Sequence, residues 1–398
     1  MSLKNVYCRA YQVCFAVGAR LLPWRRPECI TGLGSFARVP SLLAERGVRK
    51  PLIVASRRQS QTPAFQEMLG HLAGWSLYTG VTANPRVETV EAIAAQYRRS
   101  GCDGFVAVGG GSPMDAAKAA AALIARPGRT VAQLGGLLKV RCRVPPLVAV
   151  PTTAGTGSET TIAAVITDAA THHKYAIMDL NLVPLYAVMD PELTRDLPQK
   201  TTSTTGMDAL THAVEAYLCW TNNTAESIRL AEEAVIAIFK YLERAYNNGS
   251  DMEAREEMLK ASFKAGFAFT RAGVGNVHAI AHTMGGIYGT PHGLANAVIL
   301  PIVLEDYGEV VYKKLAHLAE ISGVARTGSD EEKAKAFIAE IYAMNKRMGI
   351  PEGLHVEEKD IPQMVEWALA EATPTYPVPV LYDEARCAAV IRRINERA

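Results

Sequence analysis

Between residues 51 and 190 short apolar runs alternate with longer segments whose apolar residues recur every three or four positions. PLIVAS (51–56) precedes a helical pattern over 64–72, WSLYTG precedes one over 87–99, GFVAVGGG precedes one over 113–125, and PLVAVPTT follows. That rhythm predicts parallel strands joined by helical crossovers, an open α/β sheet whose ligands bind at the carboxyl ends of the strands. TIAAVITD and KYAIMD read as a short antiparallel excursion. After VMDPEL (188–193) the strands stop and helical periodicity runs to the C-terminus, over 201–217, 225–246, 252–271, 277–284, 305–321, 331–348, 360–370 and 383–396. The pattern predicts an open α/β domain over 1–196 followed by an all-α domain over 197–398.

Composition narrows the partners. A chain of 398 residues with 49% hydrophobic content can pack two domains. Lys+Arg 42 against Asp+Glu 40 leaves a formal charge of +2, without the basic excess of a nucleic-acid or membrane-surface protein. A small molecule or a second copy is the expected partner, with a homodimer or higher homo-oligomer as the expected assembly. The seven cysteines show no CxxC pair and predict reduced thiols in the cytoplasm. The apolar stretch over 6–22 is interrupted by Arg9, Gln12 and Arg20 and is too short to span a bilayer. It reads as an amphipathic segment lying against its own domain or a second subunit.

Two loops carry phosphate-binding chemistry. Gly109, Gly110, Gly111 and Ser112 end one strand, with Ser112 as the expected helix cap, Pro113 at the first helical position and Asp115 three residues past the cap. Glycines let a backbone approach a pyrophosphate, and the free N–H groups at a helix start favour it. PTTAGTGSETT (151–161) follows the next strand and adds small hydroxylated residues and two glycines as backbone and side-chain donors, while Lys174 is a candidate cation for a phosphate or ribose. The first strand runs into Ser56, Arg57 and Arg58, where nucleotide-binding domains often place a carboxylate for the ribose hydroxyls. Two guanidiniums and no carboxylate favour NADP(H) over NAD(H).

In the helical half, Asp208 and His212 stand one turn apart on a segment otherwise apolar, where a buried carboxylate needs a partner. His278 and His282 repeat that spacing, and His292 follows a Gly-Thr-Pro turn. One aspartate with imidazoles and no thiolate suits a catalytic divalent metal, Fe2+, Zn2+ or Mn2+. Spacing alone leaves open which of the three later histidines belongs to it.

Several ordered motifs, GLGS, GGGSPMDAAK, PTTAGTGSE, VMDPELT, GMDALTHAVEAY, HAIAHTMGG and PHGLANA, together resemble the iron-containing (group III) alcohol dehydrogenases. The resemblance implies a Rossmann-like α/β N-terminal domain and an all-α C-terminal domain, a dehydroquinate synthase-like architecture, with dinucleotide and metal in a cleft between the domains. It implies Asp208, His212, His278 and His292 as metal ligands with Fe2+ the expected ion, and places catalytic His282 off the metal, beside the nicotinamide. It implies a pyrophosphate on Gly109–Ser112 with Asp115 nearby, and cofactor contacts from Thr152, Thr153 and Thr156. Members of the family that use NAD often carry an aspartate where Ser56 stands, which again points to NADP(H). The implied reaction interconverts a primary alcohol and its aldehyde, with a pocket near Thr156, Phe267, His282 and Tyr288. A second reading on the same architecture is a dehydroquinate synthase-like lyase, which needs cations such as Lys260, Lys264 and Arg271 near the metal helices. Others are oxidation of glycerol or reduction of maleylacetate.

Overall fold

The computed structural model describes residues 3–167 and 174–398. The chain divides into two compact units, Pro23–Asp196 on the one hand and Met1–Leu22 with Leu197–Ala398 on the other.

The first unit is built on a six-stranded sheet of β1 (Glu28–Thr31), β2 (Pro51–Ala55), β3 (Ser76–Tyr78), β4 (Gly104–Gly109), β6 (Leu147–Pro151) and β9 (Tyr186–Met189). Their order is β1-β9-β6-β4-β2-β3, and every pairing is parallel. β2, β4, β6 and β9 are buried at every position, as strands covered on both faces must be. Alternate residues serve two cores. Leu52, Val54, Phe105, Ala107 and Leu147 pack with the helices Val87–Ser100 and Gly111–Ala125. Ile53, Ala55, Val106, Val108 and Val148 pack with Val39–Glu45 and Pro63–Gly70 on the other face. Beside this sheet β5 (Gly136–Leu137), β7 (Ala163–Thr167) and β8 (Lys174–Met178) form a small one in which β7 and β8 pair antiparallel, the expected excursion. Asp168 of that segment lies outside the described residues.

The second unit is helical. Its central helix, Gln199–Leu218, packs against Ala225–Asn247, Met252–Ala272 and His292–Tyr307. One expected helix, over 305–321, is corrected: His292–Tyr307 ends at Gly308, where φ is +57°, and Glu309–Ser322 starts anew. His292–Tyr307 is apolar on nearly all sides and contains Pro301, so it shows no amphipathic stripe by which to recognise it. The expected domain over 1–196 is corrected at its start as well. Helix Leu3–Arg20 joins the helical unit, because Arg9 donates to the carbonyls of Val378 and Pro379 (2.7 and 2.8 Å) and Gln12 to that of Tyr376 (2.6 Å).

Candidate functional site

Helix Gln199–Leu218 buries all but a few of its residues, and its 3.6-residue repeat puts Asp208, His212 and Glu215 along one side. His278 comes from helix Asn276–Ile287 and His292 opens helix His292–Tyr307. Gly293 lets helix His292–Tyr307 close on helix Gln199–Leu218, since a Cβ there would overlap the carbonyl oxygen of Thr204 one turn before Asp208. One ligand atom each from Asp208, His212, His278 and His292 lies within 4.8 Å of the other three. Donors held about 2.0–2.2 Å from one ion stand a little closer together than that, so the set needs a small contraction to close on a metal. The side chains already aim at a common point. The Asn296 amide nitrogen lies 2.6 Å from Asp208 Oδ1 and 3.1 Å from Nε2 of both His278 and His292, while its own Oδ1 is buried without a partner among the described residues. A buried carboxylate among neutral imidazoles, with no thiolate, fits a divalent cation.

Two further carboxylates complete the surroundings, and neither was anticipated from the sequence. Glu215 Oε2 lies 2.5 Å from His278 Nδ1 and accepts from the N–H of Gly275 (2.9 Å), while its Oε1 accepts from Val277 (2.8 Å). Burial pushes this carboxyl up, opposed by the N–H groups of Gly275 and Val277 that favour its ionised form, and burial with the neighbouring histidines drives the His278 imidazolium far below its ordinary range. His278 is therefore neutral. With its Nδ1–H toward Glu215, the Nε2 lone pair is turned to the cluster. Glu371, on helix Ile361–Ala372, holds His282 Nδ1 at 2.7 Å and accepts from Tyr376 Oη at 2.5 Å. Burial raises this carboxyl, but the facing His282 and the hydrogen bonds of His282 and Tyr376 outweigh it and leave it below the usual carboxylate range. His282 stacks on His292 with ring centroids 5.1 Å apart, so it stands beside the cluster and outside it. Glu215 was findable, as a carboxylate three residues past His212 on a face that had to be buried.

In the α/β unit, Gly109 pairs with Pro151 across β4 and β6, which sets the two small-residue loops side by side. The N–H of Thr152 donates to the carbonyl of Gly109 (2.9 Å). A Cβ on Gly110 would stand 3.2 Å from Thr153 Oγ1 and one on Gly111 3.1 Å from Thr156 Cγ2, so the glycines keep this cradle open. The helix cap is corrected: Gly110 precedes helix Gly111–Ala125 with no side-chain cap, and Ser112 lies inside its first turn. The leading N–H groups are thus left to a ligand. Thr153 Oγ1 is buried without a partner among the described residues, a second sign of a missing polar group. The helix-start N–H groups and this hydroxyl are donors that fit a dinucleotide phosphate.

Asp115 faces inward instead of capping: its oxygens take Ser158 Oγ (2.7 Å) and the N–H of Val165 (3.2 Å), and burial raises its pKa. Beside it, fully buried Lys118 donates to Thr161 Oγ1 (2.8 Å), to Ser158 Oγ (3.2 Å) and to the carbonyls of Ser158, Thr161 and Ala163, tying the threonine loop to the helix. Its burial pulls the ammonium down to about 8. Ser56, one residue beyond β2, caps the short helix Arg57–Ser60 by accepting from Gln59. Arg57 is exposed, and Arg58 donates to the carbonyl of Asp196 (3.0 Å). Lys174 is at the surface, donating to Asn84 Oδ1 (2.9 Å).

Phe267 is buried in its helix, and it is Phe269 that stacks on His212, at 4.2 Å between centroids. Tyr288 Oη donates to Asp360 (2.7 Å). Lys260 is paired with Glu256 and Glu257, and Lys264 with Glu233, so neither supplies the cation cluster that a phosphate-eliminating lyase requires.

Residues 27–191 match the family model for iron-containing alcohol dehydrogenase, and residues 202–394 match the C-terminal model of the Fe-containing alcohol dehydrogenase family. The chain is 37% identical over 343 residues to the NAD-dependent methanol dehydrogenase of Bacillus methanolicus, covering 84% of this chain and 90% of that one. It is 38% identical over 367 residues to the 1,3-propanediol dehydrogenase of Klebsiella pneumoniae, covering 89% and 94%. A crystal structure of a 1,3-propanediol oxidoreductase superposes with a TM-score of 0.90 at 35% identity, covering 94% of this chain and all of that one. The chain belongs to the iron-containing alcohol dehydrogenase family, metal-dependent oxidoreductases of alcohols and aldehydes.

Proposed function

We propose that this protein interconverts a primary alcohol and its aldehyde, using a divalent metal held by Asp208, His212, His278 and His292, with Fe2+ the expected ion. The observation that supports this above all others is the convergence of those four ligand atoms within 4.8 Å. A cation there supplies Lewis acidity, lowering the pKa of an alcohol hydroxyl and polarising an aldehyde carbonyl.

The residues of the chain do the rest. Glu215 fixes the tautomer of His278 through the 2.5 Å contact. Glu371 holds His282 by Nδ1, which leaves Nε2 to carry a proton to or from the substrate oxygen, and Tyr376 steadies Glu371 from the other side. Gly109, Gly110, Gly111 and Ser112, with Thr152, Thr153 and Thr156, offer backbone and hydroxyl donors to the pyrophosphate of a nicotinamide dinucleotide, the hydride carrier. NADP(H) is the favoured form, because Ser56 brings no carboxylate and Arg57 is exposed beside it.

The test is Asp208→Ala, expected to lose both bound metal and turnover of alcohols, alongside wild-type rates with NADPH and NADH on one aldehyde panel. An active, metal-free Asp208→Ala enzyme would refute the assignment, and equal or faster turnover with NADH would refute the cofactor preference.

A further inference from the structure

The segment before the family-matched region, which begins at residue 27, carries an exposed apolar face. Helix Leu3–Arg20 buries Cys8, Gln12 and Ala16 against its own unit, with Arg9 lying over the Trp220 ring at 4.4 Å. The opposite face is apolar from end to end: Leu3, Val6, Tyr7, Ala10, Val13, Cys14 and Val17 are exposed, as is Leu21 just beyond, with Leu3 at 90% and Tyr7 at 62%. Single exposed apolar residues are ordinary, whereas a continuous stripe about 27 Å long marks a contact surface.

The spacing identifies what covers it. Positions 3, 6, 10, 13 and 17 alternate steps of three and four, the seam that one helix offers to another. Ala10 at the middle is small enough for close approach, and the Tyr7, Tyr11 and Phe15 rings follow one another along one flank at 6.5 and 6.3 Å. At on the order of 100 Å² for each large apolar side chain, the stripe offers roughly 600–700 Å² per copy. That is close to the roughly 800 Å² per partner of a stable complex. Every copy bears the same stripe, so a two-fold pairing satisfies both at once.

We propose that helix Leu3–Arg20 pairs with the same helix of a second copy of this chain. An anionic membrane is the competing occupant, since Lys4, Arg9, Arg20, Arg25 and Arg26 precede the first acidic residue, Glu28. Arg9 and Arg25, however, are engaged with backbone carbonyls of Val378, Pro379 and Pro184, which withdraws part of that charge from a lipid surface.

Sedimentation velocity on the metal-loaded protein tests the pairing. The wild type is expected to be a dimer or larger at micromolar concentration. Val13→Glu with Val17→Glu, and separately Ala10→Arg, are expected to lower the assembly by at least one association step, with unchanged circular dichroism and metal content. Val310→Glu, an exposed position on another helix, is expected to leave the mass alone. A monomeric wild type, or variants that keep the wild-type mass, would overturn the proposal. So would flotation of the wild type with phosphatidylserine vesicles that the variants abolish.

Discussion

Glu215→Gln is expected to weaken metal binding without touching a ligand. In the wild type the carboxylate meets three donors: the N–H groups of Gly275 and Val277 and Nδ1 of His278. A glutamine keeps one acceptor oxygen and replaces the other with a donor. If its nitrogen takes the Oε1 position, it faces the Val277 N–H and leaves a buried donor pair unsatisfied. If it takes the Oε2 position, it faces Gly275 and His278, and the imidazole must move its proton to Nε2, the atom that aims at the cluster. The first arrangement costs about 1–3 kcal/mol in folding. The second blocks a ligand, and loss of such a partner weakens metal affinity about 10–100-fold, or about 1.4–2.7 kcal/mol. Chelator competition on wild type and variant, with Co2+ or Zn2+ to avoid oxidation, reads the ratio, and the melting temperature of the metal-free proteins separates it from folding. Equal affinities within threefold would show that His278 needs no orienting partner.

Glu371→Gln is expected to lower kcat about 100-fold with metal content retained and a smaller change in KM, and Tyr376→Phe to have a milder effect; an unchanged kcat would remove the pair from proton transfer. Gly109→Ala places a Cβ 2.6 Å from Pro113 Cγ at a φ of +154°, so a loss of about 1–3 kcal/mol is expected in thermal stability, together with weaker dinucleotide binding by titration; wild-type values for both would deny the cradle its glycine requirement. Burial raises Glu159 to about 7 from 4.5, so the folded state binds the extra proton between those values and stability falls as pH rises through that window, by about 3 kcal/mol in all. Glu159→Gln is expected to remove that fall, which denaturation of both proteins at pH 5 and pH 8 measures; parallel pH profiles would contradict it.

What could be read from the sequence was local geometry. One helical turn between Asp208 and His212, and again between His278 and His282, is fixed by the backbone repeat alone, and strand-to-glycine-to-helix order is fixed by parallel crossover. What could not be read was closure over distance. His292 approaches Asp208 because Gly293 lies flush against Thr204, and nothing within either segment announces that contact. The partners of the histidines come from farther still: Glu371 is 89 positions from His282, and Glu215 is 63 from His278. The error at 305–321 has the same root, since His292–Tyr307 is buried on nearly every side and so loses the stripe that periodicity detects. The exposed stripe of Leu3–Arg20 is the converse case. There periodicity is strong, but the chain that folds cannot by itself supply the second surface the pattern asks for. A buried carboxylate without a visible counter-charge and an exposed apolar repeat without a visible cover are therefore the same kind of sign. Each marks a partner that lies elsewhere: for Glu215 a histidine of the cluster, for Glu371 the histidine beside it, and for Leu3–Arg20, on the pairing proposed above, another copy of the chain.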